Sequence, residues 1–218
     1  MIELERDGDV FVLDLGEGDL RFSPDFLARL GPLLDAVERA DGPAALVTVA
    51  RGKIWHNGLD LDHMATLGDG FVEYIDEVQR VLARFLTLPL PTVAAVQGHA
   101  FAGGAMLALA HDVRVMRADR GFICLPEIDL GMTFTDAMAA LIAAKLPQPA
   151  LHRMGVLGER IGGSTAVDLG VVDHVVDGEE AVRSSAIERA AALTGTAKPN
   201  LVGLRQNFYG DAIAALAP

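Results

Sequence analysis

Residues 92–116 read TVAAVQGHAFAGGAMLALAHDVRVM. The apolar run Thr92–Val96 predicts a buried strand that continues through Gln97-Gly98-His99-Ala100-Phe101 into Ala102-Gly103-Gly104. There the small residues open a helix reaching His111, and Asp112–Met116 returns to strand. This alternation of strand and helix predicts an α/β layered domain, and by itself it does not choose among α/β folds.

The same alternation extends outward. Asp9–Leu15 and Ala44–Ala50 read as strands. Between them Ser23-Pro24 supplies an N-cap and a first-turn proline to a helix carrying Phe26, Leu27, Leu30, Leu33, Leu34 and Val37 at helical spacing, which Asp41-Gly42-Pro43 ends. A second amphipathic helix is predicted over 70–88, with Val72, Ile75, Val78, Val81, Leu82 and Phe85 on one face and prolines 89 and 91 beyond it. After Gly131 the pattern is mainly helical, over 135–145, 148–157 and 180–194, with a strand at Val171–Val176. Leu201, Val202, Leu204 and Phe208 mark a short terminal helix expected to pack on a neighbour. The expected division is a core over 1–178 and a C-terminal helical, oligomer-forming region over 179–218.

Composition excludes several function classes. Thirty acidic against eighteen basic residues give a net charge of −12, which opposes neutralisation of nucleic-acid phosphates, so no nucleic-acid partner is expected. The N-terminal residues lack a secretory pattern and no apolar run reaches spanning length. One cysteine, Cys124, cannot form an internal disulfide. Together these readings predict a cytoplasmic protein without a membrane partner. No residue cluster has metal-site spacing, and His56, His99 and His111 read as hydrogen-bonded structural histidines.

Three segments carry possible chemistry. In Ile54-Trp55-His56-Asn57-Gly58-Leu59-Asp60-Leu61, glycine permits a bend that can aim the Leu59 amide into a pocket, and Asp60 can cap a helix; an ordinary strand-to-helix turn accounts for the same residues. In Gly98–Asp112, glycines at a helix start let a ligand approach unsatisfied amides, where the dipole favours negative charge. Tight helix packing is the competing explanation. In Phe122–Gly131, Glu127 sits among apolar residues, where desolvation would raise its pKa and make it a usable base; a solvent-facing loop glutamate is the alternative.

In order and spacing these segments, together with Gly158–Val176, resemble the crotonase (enoyl-CoA hydratase/isomerase) superfamily. The resemblance implies a spiral of ββα units followed by a C-terminal helical region, homotrimers or hexamers, and an acyl-CoA thioester as partner, with coenzyme A as part of the substrate and no separate cofactor. It places the oxyanion hole at the amides of Leu59 and Gly103, and the catalytic acid at Glu127. Trp55, Asn57, Gly58, Leu61, Phe101, Gly104 and Met106 are the expected substrate-binding residues. Hydratases of the family use a second glutamate at the position of Met106, and a thioether cannot orient water as a carboxylate does. Asn57–Leu61, Gly98-His99-Ala100, His111-Asp112 and Arg117–Phe122 look most like the Δ3-Δ2-enoyl-CoA isomerase branch, in which one carboxylate suffices. The last residues, Leu216-Ala217-Pro218, are not a peroxisomal tripeptide.

Overall fold

The computed structural model describes residues 2–217. It begins with an antiparallel hairpin, β1 (Glu3–Asp7) and β2 (Val10–Glu17), followed by α1 (Pro24–Glu38). The chain then repeats one pattern. β3 (Ala45–Arg51) and β4 (Ile54–His56) precede α2 (Leu61–Met64) and α3 (Phe71–Thr87); β5 (Thr92–Val96) and β6 (His99–Phe101) precede α4 (Gly103–Ala110). β7 (Val113–Arg117) and β8 (Ile123–Cys124) precede α5 (Glu127–Leu130), α6 (Asp136–Lys145) and α7 (Gln148–Leu151). The remaining elements are α8 (Gly163–Asp168), β9 (His174–Val176), α9 (Glu179–Leu193) and α10 (Leu201–Leu216).

In each ββα turn the first strand joins a six-stranded sheet ordered β1-β2-β3-β5-β7-β9, and the second joins a three-stranded sheet ordered β4-β6-β8. Apart from the first hairpin, these strands pair with one another in parallel. The expected spiral of ββα units is therefore present. The central strands β2, β3 and β5 are buried on both faces, which accounts for their continuous apolar runs. Along β2, Val10 and Val12 pack toward Val182, Ala186 and Ala190 of α9, while Phe11, Leu13 and Leu15 enter the main core with α1 and α3.

Local sequence sets the helix ends. Ser23 caps α1 by accepting the Phe26 amide at 3.2 Å, and Thr135 caps α6 by accepting that of Met138 at 3.2 Å; such caps contribute about 1 kcal/mol each. Asp60 caps α2 through the His63 amide at 3.2 Å.

Several expectations need correction. The strand from Thr92 does not run on to Phe101: it stops at Val96, and after Gln97-Gly98 the chain enters the other sheet as β6. The predicted strand 171–176 shrinks to His174–Val176, because the amides of Val171 and Val172 are tied back to Ala166 O at the end of α8. The predicted helix 148–157 is α-helical only to Leu151. It then widens into a π-turn closed by Leu157 N–H donating to His152 O at 3.2 Å. β1 was missed, since Glu3–Asp7 is a charged, largely exposed edge without apolar alternation.

The terminal helix is longer than expected and docks on its own chain, against α3 and α6. It is held by buried Arg205, which donates to the carbonyls of Leu88 and Leu90 and pairs with Asp112. Val202, Leu204 and Phe208, which the sequence reading expected to pack on a neighbour, face outward, Phe208 being 79% exposed. Among the described residues no helix is long and apolar enough to cross a membrane.

Candidate active site

The small sheet assembles the site. Its three parallel strands point the same way, so the segments leaving their C-terminal ends meet: Asn57-Gly58-Leu59 after β4, Ala102-Gly103 after β6, and Leu125-Pro126-Glu127 after β8. They line one cavity of about 320 Å³. Segments more than twenty residues apart in sequence thus converge because short strands deliver them to one edge.

The approach of the first two segments is close. Gly58 has φ +86°, and a Cβ there would lie 2.6 Å from Gly103 N, so only glycine allows the two backbones this near. Ala102, with φ 48° and ψ −121°, is the single non-glycine residue of positive φ among those described, and it is the residue immediately before α4. Such strain persists only where surrounding structure enforces it. Here Ala102 N–H is held by Cys124 O at 3.0 Å, and Ala102 O accepts from Met106 N–H at 3.1 Å. Gly103 N–H, in the first turn of α4, has no acceptor among the described residues, and neither has Leu59 N–H. Two free amides therefore border the cavity beside a helix N-terminus, an arrangement that favours negative charge on a ligand oxygen.

Glu127 lies at the start of α5, 8% exposed, with Oε2 buried and unpaired among the described residues. Burial pushes its pKa up from 4.5 to about 7, against a smaller opposing effect of its own backbone amide. It is the one carboxylate among the described residues lining the cavity. At neutral pH such a group holds or releases a proton with little bias.

Of the site residues named from sequence, Asn57, Leu59, Leu61, Phe101, Gly103 and Met106 line the same cavity as Glu127. Trp55, Gly58 and Gly104 do not. Trp55 is mid-strand in β4 and fully buried near His111, with ring centroids 6.2 Å apart; the cavity lies beyond the end of that strand. Gly104 is a packing residue, since a Cβ there would meet His56 O at 2.0 Å. Gly58 acts through its backbone geometry. His111 is structural: its ring bonds Thr48 Oγ1 and Leu107 O, both at 2.8 Å.

Sequence reasoning missed much of the apolar wall, formed by Met64, Phe71, Met132, Phe134 and Met138, together with Arg160 at the rim. These residues come from loops and helix ends, where no periodicity signals a shared cavity. No group of three or more candidate metal-ligating side chains occurs among the described residues.

The profile of a family described as enoyl-CoA hydratase/isomerase matches residues 22–216. Among similar proteins, an Arabidopsis thaliana enoyl-CoA delta isomerase 2, named as peroxisomal, is 40% identical over 192 residues, covering 84% of this chain and 80% of the relative. Enoyl-CoA delta isomerase 3 of the same plant is 37% identical over 201 residues, covering 88% and 84%. A solved apo structure titled as a Mycobacterium tuberculosis enoyl-CoA isomerase superposes with a TM-score of 0.90 at 26% identity, covering 99% of this chain and 93% of that one.

Proposed function

Because the chain belongs to the enoyl-CoA hydratase/isomerase family, we propose that it moves a double bond in an acyl-CoA, converting a 3-enoyl-CoA to the 2-enoyl isomer through an enolate. The observation that carries this reading is a lone, buried carboxyl raised to about 7 in the same cavity as two unpaired amides.

In the proposed cycle the thioester oxygen accepts the N–H groups of Leu59 and Gly103, so that negative charge arriving on it during proton removal is met by fixed donors. Each such donor is worth ~3 to 4 kcal/mol in other acyl-transfer enzymes. Ionised Glu127 takes a proton from C2 and the freed C–H pair spreads onto the thioester as the enolate; that pair then becomes the C2–C3 double bond while the C3–C4 double-bond pair takes the proton back from the same carboxyl at C4. One acid therefore serves both steps. Met106 stands where a hydratase would place its second carboxylate, and it lines the cavity as a buried thioether without proton affinity. Methionine can adapt its shape to a moving acyl chain.

The coenzyme A moiety enters with the substrate, and no separate cofactor is required. Exposed Val202, Leu204 and Phe208 on α10 support the expected assembly into a trimer or hexamer, which sedimentation tests. A cytoplasmic location is the reading from sequence, whereas two similar plant proteins are named as peroxisomal; imaging of the tagged chain decides between them.

The functional experiment offers purified protein a 3-enoyl-CoA and a 2-enoyl-CoA separately. Bond migration in the first without water addition to the second supports the isomerase. Hydration of the second at a comparable rate transfers the chain to the hydratase reading.

A further inference from the structure

The four amides of the turn after β4 have different fates. Asn57 N–H donates to Leu20 O at 2.7 Å, Gly58 N–H to His56 Nδ1 at 3.0 Å, and Asp60 N–H to Tyr74 Oη at 2.7 Å. Leu59 N–H alone has no acceptor among the described residues. Both amides flanking it are thus held by side chains, one within β4 and one from α3.

His56 is fully buried, with Phe22 and Phe26 at ring-centroid distances of 4.3 and 5.2 Å. A backbone N–H can only donate, so Nδ1 is the unprotonated nitrogen and the ring proton sits on Nε2. That Nε2 is buried without a partner among the described residues. Desolvation depresses the imidazole pKa to about 3, which keeps the ring a neutral acceptor throughout the working pH range. Tyr74 is fixed from both sides: its hydroxyl donates to Phe22 O at 2.9 Å while accepting from Asp60. Phe22 N–H in turn donates to Gly58 O at 2.8 Å. The turn is clamped from above and below Leu59, with an unsatisfied buried nitrogen left on the clamp.

We propose that His56 and Tyr74 are positioning residues that hold the Leu59 amide toward the thioester oxygen. This rests on the oxyanion-hole reading above, and it adds that the hole depends on two side chains that do not themselves touch the substrate. A packing role alone would not require an acceptor at either position, which separates the two explanations.

The test uses a saturated acyl-CoA with a 13C-labelled thioester carbonyl, bound to the wild type, His56→Leu, His56→Asn and Tyr74→Phe, and reads the carbonyl stretch by infrared difference spectroscopy. Thermal melts and kinetics on a 3-enoyl-CoA accompany it. The wild type is expected to lower the stretch. His56→Leu and Tyr74→Phe lose much of that lowering and reduce kcat by about 10- to 100-fold, with KM changed by less than about threefold. His56→Asn, which keeps an acceptor near the Nδ1 position, recovers most of both. Should His56→Leu fail to fold, Tyr74→Phe, which removes a single oxygen, decides by the same readouts. Wild-type carbonyl shift and kcat in folded Tyr74→Phe and His56→Leu overturn the proposal. A wild type that polarises the carbonyl but leaves the 3-enoyl-CoA unchanged overturns the isomerase reading while leaving the clamp standing.

Discussion

The two sheets are built from the same ββα units yet differ in how completely they satisfy themselves. In the six-stranded sheet, strands of three to eight residues pair side by side, with Val182, Ala186 and Ala190 of α9 packed against them. The three-stranded sheet has strands of only two or three residues, and it carries the strained Ala102 and the free amides of Leu59 and Gly103 at its C-terminal edge. Of the buried side-chain atoms without partners among the described residues, those of Trp55, His56, Gln97, His99 and Glu127 lie in the small sheet or beside it; only Arg189 Nε lies elsewhere. Unsatisfied groups cost stability, and they collect where a ligand can satisfy some of them. The large sheet is the scaffold that makes this tolerable.

Mutations should therefore separate the sheets. The largest effect is expected from Glu127→Ala, which should lower kcat for 3-enoyl-CoA isomerisation by about a thousandfold while acyl-CoA binding, followed by calorimetry, persists. Retained turnover would remove Glu127 from the chemistry. Gly58→Ala comes next. Its Cβ would press on Gly103 N from a strained φ, so kcat/KM should drop by about 100-fold, comparable to losing one oxyanion donor. The opposite signature belongs to the large sheet: Leu46→Ala on β3 should destabilise by about 2 to 5 kcal/mol in denaturant melts yet leave kcat per folded molecule near wild type. A Leu46 variant that kept its stability and lost its kcat would erase the contrast. The smallest expected change is gain of trace hydration by Met106→Glu, detected as 3-hydroxyacyl-CoA, and complete absence of water addition would argue against a two-carboxylate requirement.

Stability should follow pH through the same acid. The folded-state pKa of Glu127 is raised, so the stability linked to its proton is present below about 4.5 and is lost as pH rises through about 7. Glu127→Gln should consequently be more stable than the wild type at pH 8, by at most about 3 kcal/mol, in parallel thermal melts.

The sequence was most legible where periodicity is long. α1 and α3 span four turns or more; the apolar face and Ser23 cap of α1 were readable, as was the face of α3 from Ile75 on, whereas Val72, expected on that face, is exposed. Glycine at a helix start and a glutamate among apolar neighbours also marked the segments that reach the cavity. The second sheet was not legible, because β8 is two residues long and β4 and β6 are three, too short for alternation to register. That is why Trp55 read as a cleft residue: which way a side chain points in a three-residue strand depends on a pairing that local sequence does not encode. Tyr74 was hidden for another reason. It sits on the buried face of α3 like any core residue, and only the fold brings its hydroxyl to Asp60. On α10 the contact within the chain was not legible, since the helix docks through Arg205, Ala212 and Leu216, which show no apolar stripe.

The pH profile of kcat/KM on a 3-enoyl-CoA bears most directly on the claim that one desolvated carboxyl moves the proton. The base must be ionised to act, so the rate should rise with pH through an inflection near 7 and vanish in Glu127→Gln. A profile flat from about pH 5 to about pH 9, with Glu127→Gln as active as the wild type, would contradict it.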